Sequence, residues 1–392
     1  MESIGIESVP RYKAFAREIE ELGREMGRNT GWEDFQHLRR IERGARLCTL
    51  LGYLTAWLFP NPLSAFLLAQ GLIGRLLIGH HIGHGGYDRI AGIPERYTSR
   101  GFARGWRRYL DWFDWWGHRS WLHLHNKLHH SYTQDPLDAD LLDPENFQHL
   151  RLPSRYGMLL GFALTWKFSY YAPYMQRELL NHEGKVKRLT PYRYHPRDLY
   201  DLTDPIVRRL WLHHLLPYMG FHFVLVPLLF LPLGSWAVLS VLCNTLLGEL
   251  LSNLQGFISI RSTHSAQDIP LFTPTVSGRT DYIVRQVLGT ANYRTGGDVL
   301  AFLHVWTNYQ VEHHLWPRST MLKYRQYQPR VKALCERYGI RYLQDSVWKR
   351  FLEMSRIYVG LARQPLLDTS ALQAKTFHPL PAAPKEGQPH VA

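Results

Sequence analysis

Residues 121–133 read WLHLHNKLHHSYT. They place His125, His129 and His130 within six residues, and on an α-helix the first two, spaced i, i+4, stack on one face. That spacing suits a metal ion. Two more histidine clusters lie far away in sequence: His80, His81 and His84 upstream, and Gln310-Val311-Glu312-His313-His314 downstream. A cluster drawn from three distant segments needs a fold that brings them together. Imidazole suits iron, copper, zinc and nickel alike. Even with His81 and His123 set aside, seven imidazoles exceed what one tetrahedral zinc uses. Two metals are the simplest reading, and two irons the pair that fits best.

The segments between the clusters are apolar. A mean hydropathy of -0.27 averages over long hydrophobic blocks. From Leu210 to Leu233 only three histidines, His213, His214 and His222, could carry charge, and from Ser235 to Ile260 the one formal charge is Glu249. At about 1.5 Å per residue each block can cross roughly 30 Å of hydrocarbon. Leu47 to Phe59 and Leu63 to Gly79 form a second, shorter pair around Pro60-Asn61-Pro62. The expectation is an all-α integral membrane protein. It has two transmembrane helical hairpins, about four spans near 47–59, 63–79, 210–233 and 235–260, under a helical cap that carries the histidines.

Basic residues set the orientation. The turns at 60–62 and 233–235 hold no Lys or Arg, whereas residues 1–46 hold nine. By the positive-inside bias both hairpins enter from the cytoplasm, with both termini and all three clusters on that side. The net charge of +13 fits a basic cytoplasmic cap facing anionic headgroups and an acidic protein partner. The positive residues follow the membrane boundaries and form no separate basic tract, which argues against nucleic acid. Three cysteines form neither a disulfide framework nor a four-thiolate cluster.

In chain order, residues 1–46 read as an amphipathic cytoplasmic or interfacial lead-in, with Phe15, Ile19 and Leu22 at helical spacing. Residues 47–345 form the membrane domain, 346–375 a helical extension and 376–392 a disordered tail. His80 and His84 repeat the i, i+4 spacing at the end of the second apolar segment, with His81 a candidate supporting residue and Arg75 expected to reach up to the headgroups. Trp106, Trp112, Trp115 and Trp116, interleaved with arginines, are expected as an interfacial belt, and so is 154–174 around Lys167. The acidic run Asp135, Asp138, Asp140, Asp143 and Glu145 has two readings. It accepts hydrogen bonds from ligating histidines, or it is a solvated loop. Glu249, Asn253, Phe257, Ile260 and His264 share a helix face; His264 is a further candidate ligand, with Glu249 and Asn253 as polar support. His304 is a ninth candidate.

The boxes HHIGH, HNKLHH and QVEHH, in this order around two hydrophobic hairpins, resemble the membrane-bound fatty acid desaturases over roughly residues 45–345. The resemblance implies a histidine-rich di-iron centre that uses O2 to remove two hydrogens from an acyl chain carried as acyl-lipid, acyl-CoA or acyl-ACP. Box by box, His80 and His84, then His125, His129 and His130, then His313 and His314 look like its iron ligands. Gln310 stands where many members have histidine, as in the front-end desaturases, and is expected to orient a ligand. Those enzymes commonly carry a fused cytochrome b5 domain with a His-Pro-Gly-Gly motif, which these residues lack. Electrons are therefore expected from ferredoxin, or from cytochrome b5 with a reductase.

Two rivals share the features. A lipid hydroxylase could use the same centre, and a transition-metal transporter could use intramembrane histidines, although its ligands should line the membrane path. A zinc protease is excluded because neither i, i+4 histidine pair carries the HExxH glutamate.

Overall fold

The computed structural model describes residues 2–141, 150–185 and 196–373. Asp143, Glu145 and the tail from 376 lie outside the described residues.

The first long helix, Val9–Arg28, buries Phe15, Ile19 and Leu22. This stripe packs against the cap, in one cluster with Tyr282, Val287 and Val331. Glu25 pairs with Arg330, and Arg337 with Glu18 at 2.8 Å, which fixes the lead-in along the cap helix Met321–Arg337.

The next helix, Trp32–Ala56, opens with Gly31 N–H donating to Asp34 at 2.9 Å. The apolar stretch expected as a span at 47–59 is the later part of this helix, which follows Arg39, Arg40, Arg43 and Arg46. Its partner, Pro62–Gly83, begins with Pro62 in the first turn, and Asn61 accepts from Ser64 N–H at 2.8 Å. The two helices touch where glycine leaves room. A Cβ at Gly71 would lie 2.0 Å from Thr49 Oγ1, and one at Gly74 2.1 Å from the Ala45 Cβ. Asn244, on the helix Ser235–Arg261, closes the hairpin turn. Its amide donates to Ala56 and Phe59 carbonyls at 2.9 and 3.0 Å, and its oxygen accepts from Asn61 N–H at 2.8 Å. Backbone groups that no water can satisfy are paired in this way.

Among the described residues, three helices are long and apolar enough to cross a membrane: Pro62–Gly83, Pro205–Leu233 and Ser235–Arg261. The second contains π turns at Trp211–Leu215 and Phe221–Leu225, just before Pro217 and Pro227. Proline cannot donate, and a widened turn absorbs the lost bond. Gly234, at φ +103°, reverses the chain into Ser235–Arg261, a backbone conformation that a side chain would strain.

The cap is mostly helical, with two short parallel sheets that the all-α expectation lacks. Leu366–Asp368 pairs with both Glu2–Ser3 and Leu271–Thr273, and Asn292–Tyr293 pairs with Gln344–Asp345. Strands of two or three residues are too short to show an alternating pattern. Arg285, fully buried, links the loop after the central box to the cap; it donates to Asp281 at 2.8 Å, Asp135 at 3.1 Å and Thr369 Oγ1 at 2.7 Å. The tryptophan belt is also corrected: Trp106 is exposed, but Trp112 and Trp116 are buried, Trp112 over Gly79.

Candidate metal centre

Four backbone segments converge beneath the cap, one of them the turn after Ser235–Arg261 that carries His264. The span Pro62–Gly83 carries His80 and His81 in its last turn, with His84 just beyond it. Helix His118–His123 runs directly into a π turn, Leu124–His129, where His130 N–H bonds the His125 carbonyl five residues back at 3.1 Å. The helix Gln310–Leu315 supplies His313 and His314.

The π register changes which histidines meet. His125 and His130, five apart, bring their Nε2 atoms within 3.1 Å. They form one group with His80, His84 and His313, and His80 Nε2 lies 2.9 Å from His313 Nε2. His129, His264 and His314 form a second group, and within each group all the nitrogens that could bind lie within 4.8 Å of one another. The pair expected to share one face, His125 and His129, is thus divided between the two. So is the consecutive pair His313 and His314. The groups adjoin: the rings of His130 and His314 stack with centroids 4.4 Å apart.

These nitrogens are spaced so that they could hold ions. Metal–nitrogen bonds of roughly 2.1 Å at right angles separate neighbouring ligand atoms by roughly 3.0 Å, close to the 2.9 and 3.1 Å seen here. His84 Nε2 and His314 Nε2 are buried without a hydrogen-bond partner, which leaves their lone pairs free for a metal. Burial first, then neighbouring imidazoles, hold His84, His130, His313 and His314 well below the ordinary histidine range. Burial pushes His125 down to about 4 despite Asp140. Neutral imidazole is the form that ligates.

His129 runs the other way. Burial alone would lower it, but Asp138 and Asp140 outweigh burial and raise it. Its Nδ1 lies 2.9 Å from Asp138 and 3.4 Å from Asp140, so these two acids face the site while Asp135 serves Arg285. Asp140 also groups with His125 and His129 as a possible oxygen ligand. On the far side, His314 Nδ1 is 3.0 Å from Gln286 Oε1 and 3.2 Å from Thr133 Oγ1. Trp121 stacks on His125 at 4.5 Å, and Tyr324 reaches His313 Nδ1 at 3.4 Å. Gln286, Tyr324 and Trp121 were not among the sequence candidates, because isolated cap and helix residues carry no spacing signal.

The remaining candidates divide. Gln310 places its amide Nε2 2.8 Å from His264 Nε2, beside the second group. Between Gln310 and His313, Glu312 turns away to Asn292 at 2.9 Å and Tyr342 at 2.8 Å; burial pushes its carboxyl up to about 7. His81 is buried against His313 and Tyr324 but lies outside both groups. His304 joins neither group, and its Nδ1 lies 3.0 Å from the Asn308 amide. Glu249 and Asn253 lie away from both groups. Fifteen and eleven residues before His264, they lie roughly 22 and 16 Å away along the helix. There Glu249 binds Lys167 at 2.5 Å and accepts from Tyr218 at 2.8 Å, while Asn253 accepts from Lys167 N–H at 2.8 Å. Lys167 is therefore buried within this cluster and not interfacial.

The chain is 27% identical to the acyl-lipid (7-3)-desaturase of Rebecca salina over 79% of its own length and 65% of the relative's. It is 22% identical to the NADPH-dependent stearoyl-CoA 9-desaturase of Mycobacterium tuberculosis, over 84% of its length and 75% of the relative's. For the Delta 8-(E)-sphingolipid desaturase of Lachancea kluyveri the identity is 26%, over 79% and 53%. The chain thus spans between about half and three quarters of these relatives. The sequence model of the family described as "Fatty acid desaturase" matches residues 41–346, and the chain belongs to that family.

Proposed function

We propose that the chain desaturates an acyl chain with O2, using two iron ions held by its eight grouped histidines. The supporting observation is that His129 with His130, and His313 with His314, each send one ring into each of two adjoining groups. Bound there, two irons would supply, with O2, the oxidising power toward an unactivated methylene that no side chain has. His80, His84, His125, His130 and His313 would hold one ion, and His129, His264 and His314 the other. Five imidazoles in one group exceed the usual coordination of zinc.

The chain's own groups do the positioning. Asp138 and Asp140 accept from His129 Nδ1 and fix which nitrogen faces inward, and Gln286 does the same for His314. Gln310 orients His264. Trp121 and Tyr324 close the site to water on the side of His125 and His313.

The substrate is an acyl chain drawn from the membrane as acyl-lipid, acyl-CoA or acyl-ACP. Electrons come from a donor outside these residues, ferredoxin or cytochrome b5 with its reductase. The hairpin Trp32–Gly83 completes a four-span topology, with both termini and the metal groups cytoplasmic, as the basic residues favour. That the histidines gather at one end of the bundle supports an enzyme over a transporter.

Lipid profiling of cells expressing the chain tests this. An acyl product two hydrogens lighter, absent with His313→Ala, is expected. A product heavier by one oxygen would make it a hydroxylase, and an unchanged profile with altered metal uptake would favour transport.

A further inference from the structure

The first hairpin carries a second site on the side away from the histidines. A pocket of about 360 Å3 opens between Trp32–Ala56, Pro62–Gly83 and the segment 102–111, walled by Leu50, Ile78, Phe102 and Leu110 with Arg46 and Arg75. Arg75 and Ile78 share a helix face. At about 100° per residue, Arg75 lies roughly 140° around the axis from His80 and 180° from His84. The pocket therefore does not open onto the metal groups.

Its charges are unbalanced. Glu42 is taken by Arg39 and by Arg46 at 2.5 Å, and Asp111 by Arg107 at 2.9 and 3.0 Å. With Arg75, four guanidiniums stand against these two carboxylates. Among the described residues none hydrogen-bonds or ion-pairs with Arg75; Tyr53, Tyr218 and Asp111 act on it only at longer range. A guanidinium within a membrane span is costly without an anion, and its planar fork matches a phosphate. Below Arg46, Leu47, Leu50, Leu51 and Leu54 are exposed along the same helix, an apolar track leading down from the charges.

We propose that this pocket binds one anionic phospholipid, its phosphate in the fork of Arg75 beside Arg46 and its chains along Leu50 and Leu54. A lipid seated there clamps the hairpin across its glycine contacts. The site stands whether or not the histidines hold iron.

The test uses the full chain in phosphatidylcholine micelles, with phosphatidylglycerol as probe. Native mass spectrometry counts the retained lipid, and thermal unfolding follows its effect. One phosphatidylglycerol per chain is expected, held about tenfold more tightly than phosphatidylcholine, a difference one well-placed charged contact can supply. Arg75→Gln should abolish this preference, and so should Leu110→Glu, which sets a negative charge at an exposed rim position. Arg75→Lys should keep part of it. Arg337→Gln, on the cap, should keep all of it. Equal retention of the two lipids by the unaltered chain overturns the proposal, as does a preference that survives Leu110→Glu. That variant decides alone if Arg75→Gln does not fold. Stabilisation by glycerol 3-phosphate equal to that by phosphatidylglycerol also overturns it, since the acyl chains would then contribute nothing.

Discussion

The two histidine groups touch ring to ring, yet their surroundings differ. The five-histidine group is lined by aromatic faces, Trp121 and Tyr324, and among the described residues the acid nearest it is Asp140, 3.9 Å from His125 Nδ1. The three-histidine group is bordered by hydrogen-bonding side chains: Asp138, Asp140, Gln286, Thr133 and Gln310. Where imidazoles are plentiful, their number and packing suffice to shape a site. Where they are few, acids and amides must aim them.

Removing a grouped histidine should do the most damage. With about two irons per chain in the unaltered protein, His130→Ala and His314→Ala should each lose metal by elemental analysis and activity by more than about 100-fold, beyond the usual effect of a supporting residue. One zinc and no iron would break the comparison at its root.

The aiming residues come next. Gln310→Ala and Asp138→Asn should keep most of the iron and lose roughly 10- to 100-fold in activity. If Gln310→Ala instead behaves like His314→Ala, its amide is a full ligand and the second group is four-membered.

Acid should then distinguish the groups in metal-depleted protein. His84, His130, His264, His313 and His314 sit well below their ordinary value and His125 at about 4, so below pH about 6.5 the unfolded chain binds more protons than the folded one. Their stabilisation is complete above that pH and lost as pH falls. His129, raised by its acids, contributes in the opposite sense: its stabilisation is present below pH about 6.5 and lost as pH rises through its folded value. Six lowered groups outweigh one, so the unfolding midpoint should drop between pH about 7.5 and 5.5. Asp138→Asn should steepen the drop. A midpoint that rises on acidification would refute this account.

The smallest effect belongs to His304→Ala, outside both groups: iron content unchanged and activity within about twofold, by the usual size of substitutions away from a site.

Much of this was legible in the residues. The three boxes, and the apolar blocks 210–233 and 235–260, stand out because repeated histidines and long uncharged runs are rare without a reason. What escaped depends on distance along an element or on contacts between elements. Glu249 and Asn253 share a helix face with His264, but a face says nothing of the four turns between Glu249 and the metal groups. Trp112 and Trp116 look interfacial by composition, and only packing against Gly79 and Tyr218 buries them. Asp135 and Asp138 are three residues apart in one loop, yet one holds a cap arginine and the other a histidine.

The π turn at Leu124–His129 works as a phase shift in the chain. In an ordinary helix the motif H-x3-H-H points its first two histidines at one target. With one residue added per turn, the first and third share a target and the second is released to another. Helical pitch therefore decides which histidines of the motif meet, and a single deletion between His125 and His129 that restored an ordinary turn should leave His125 and His130, then four apart, still on one face.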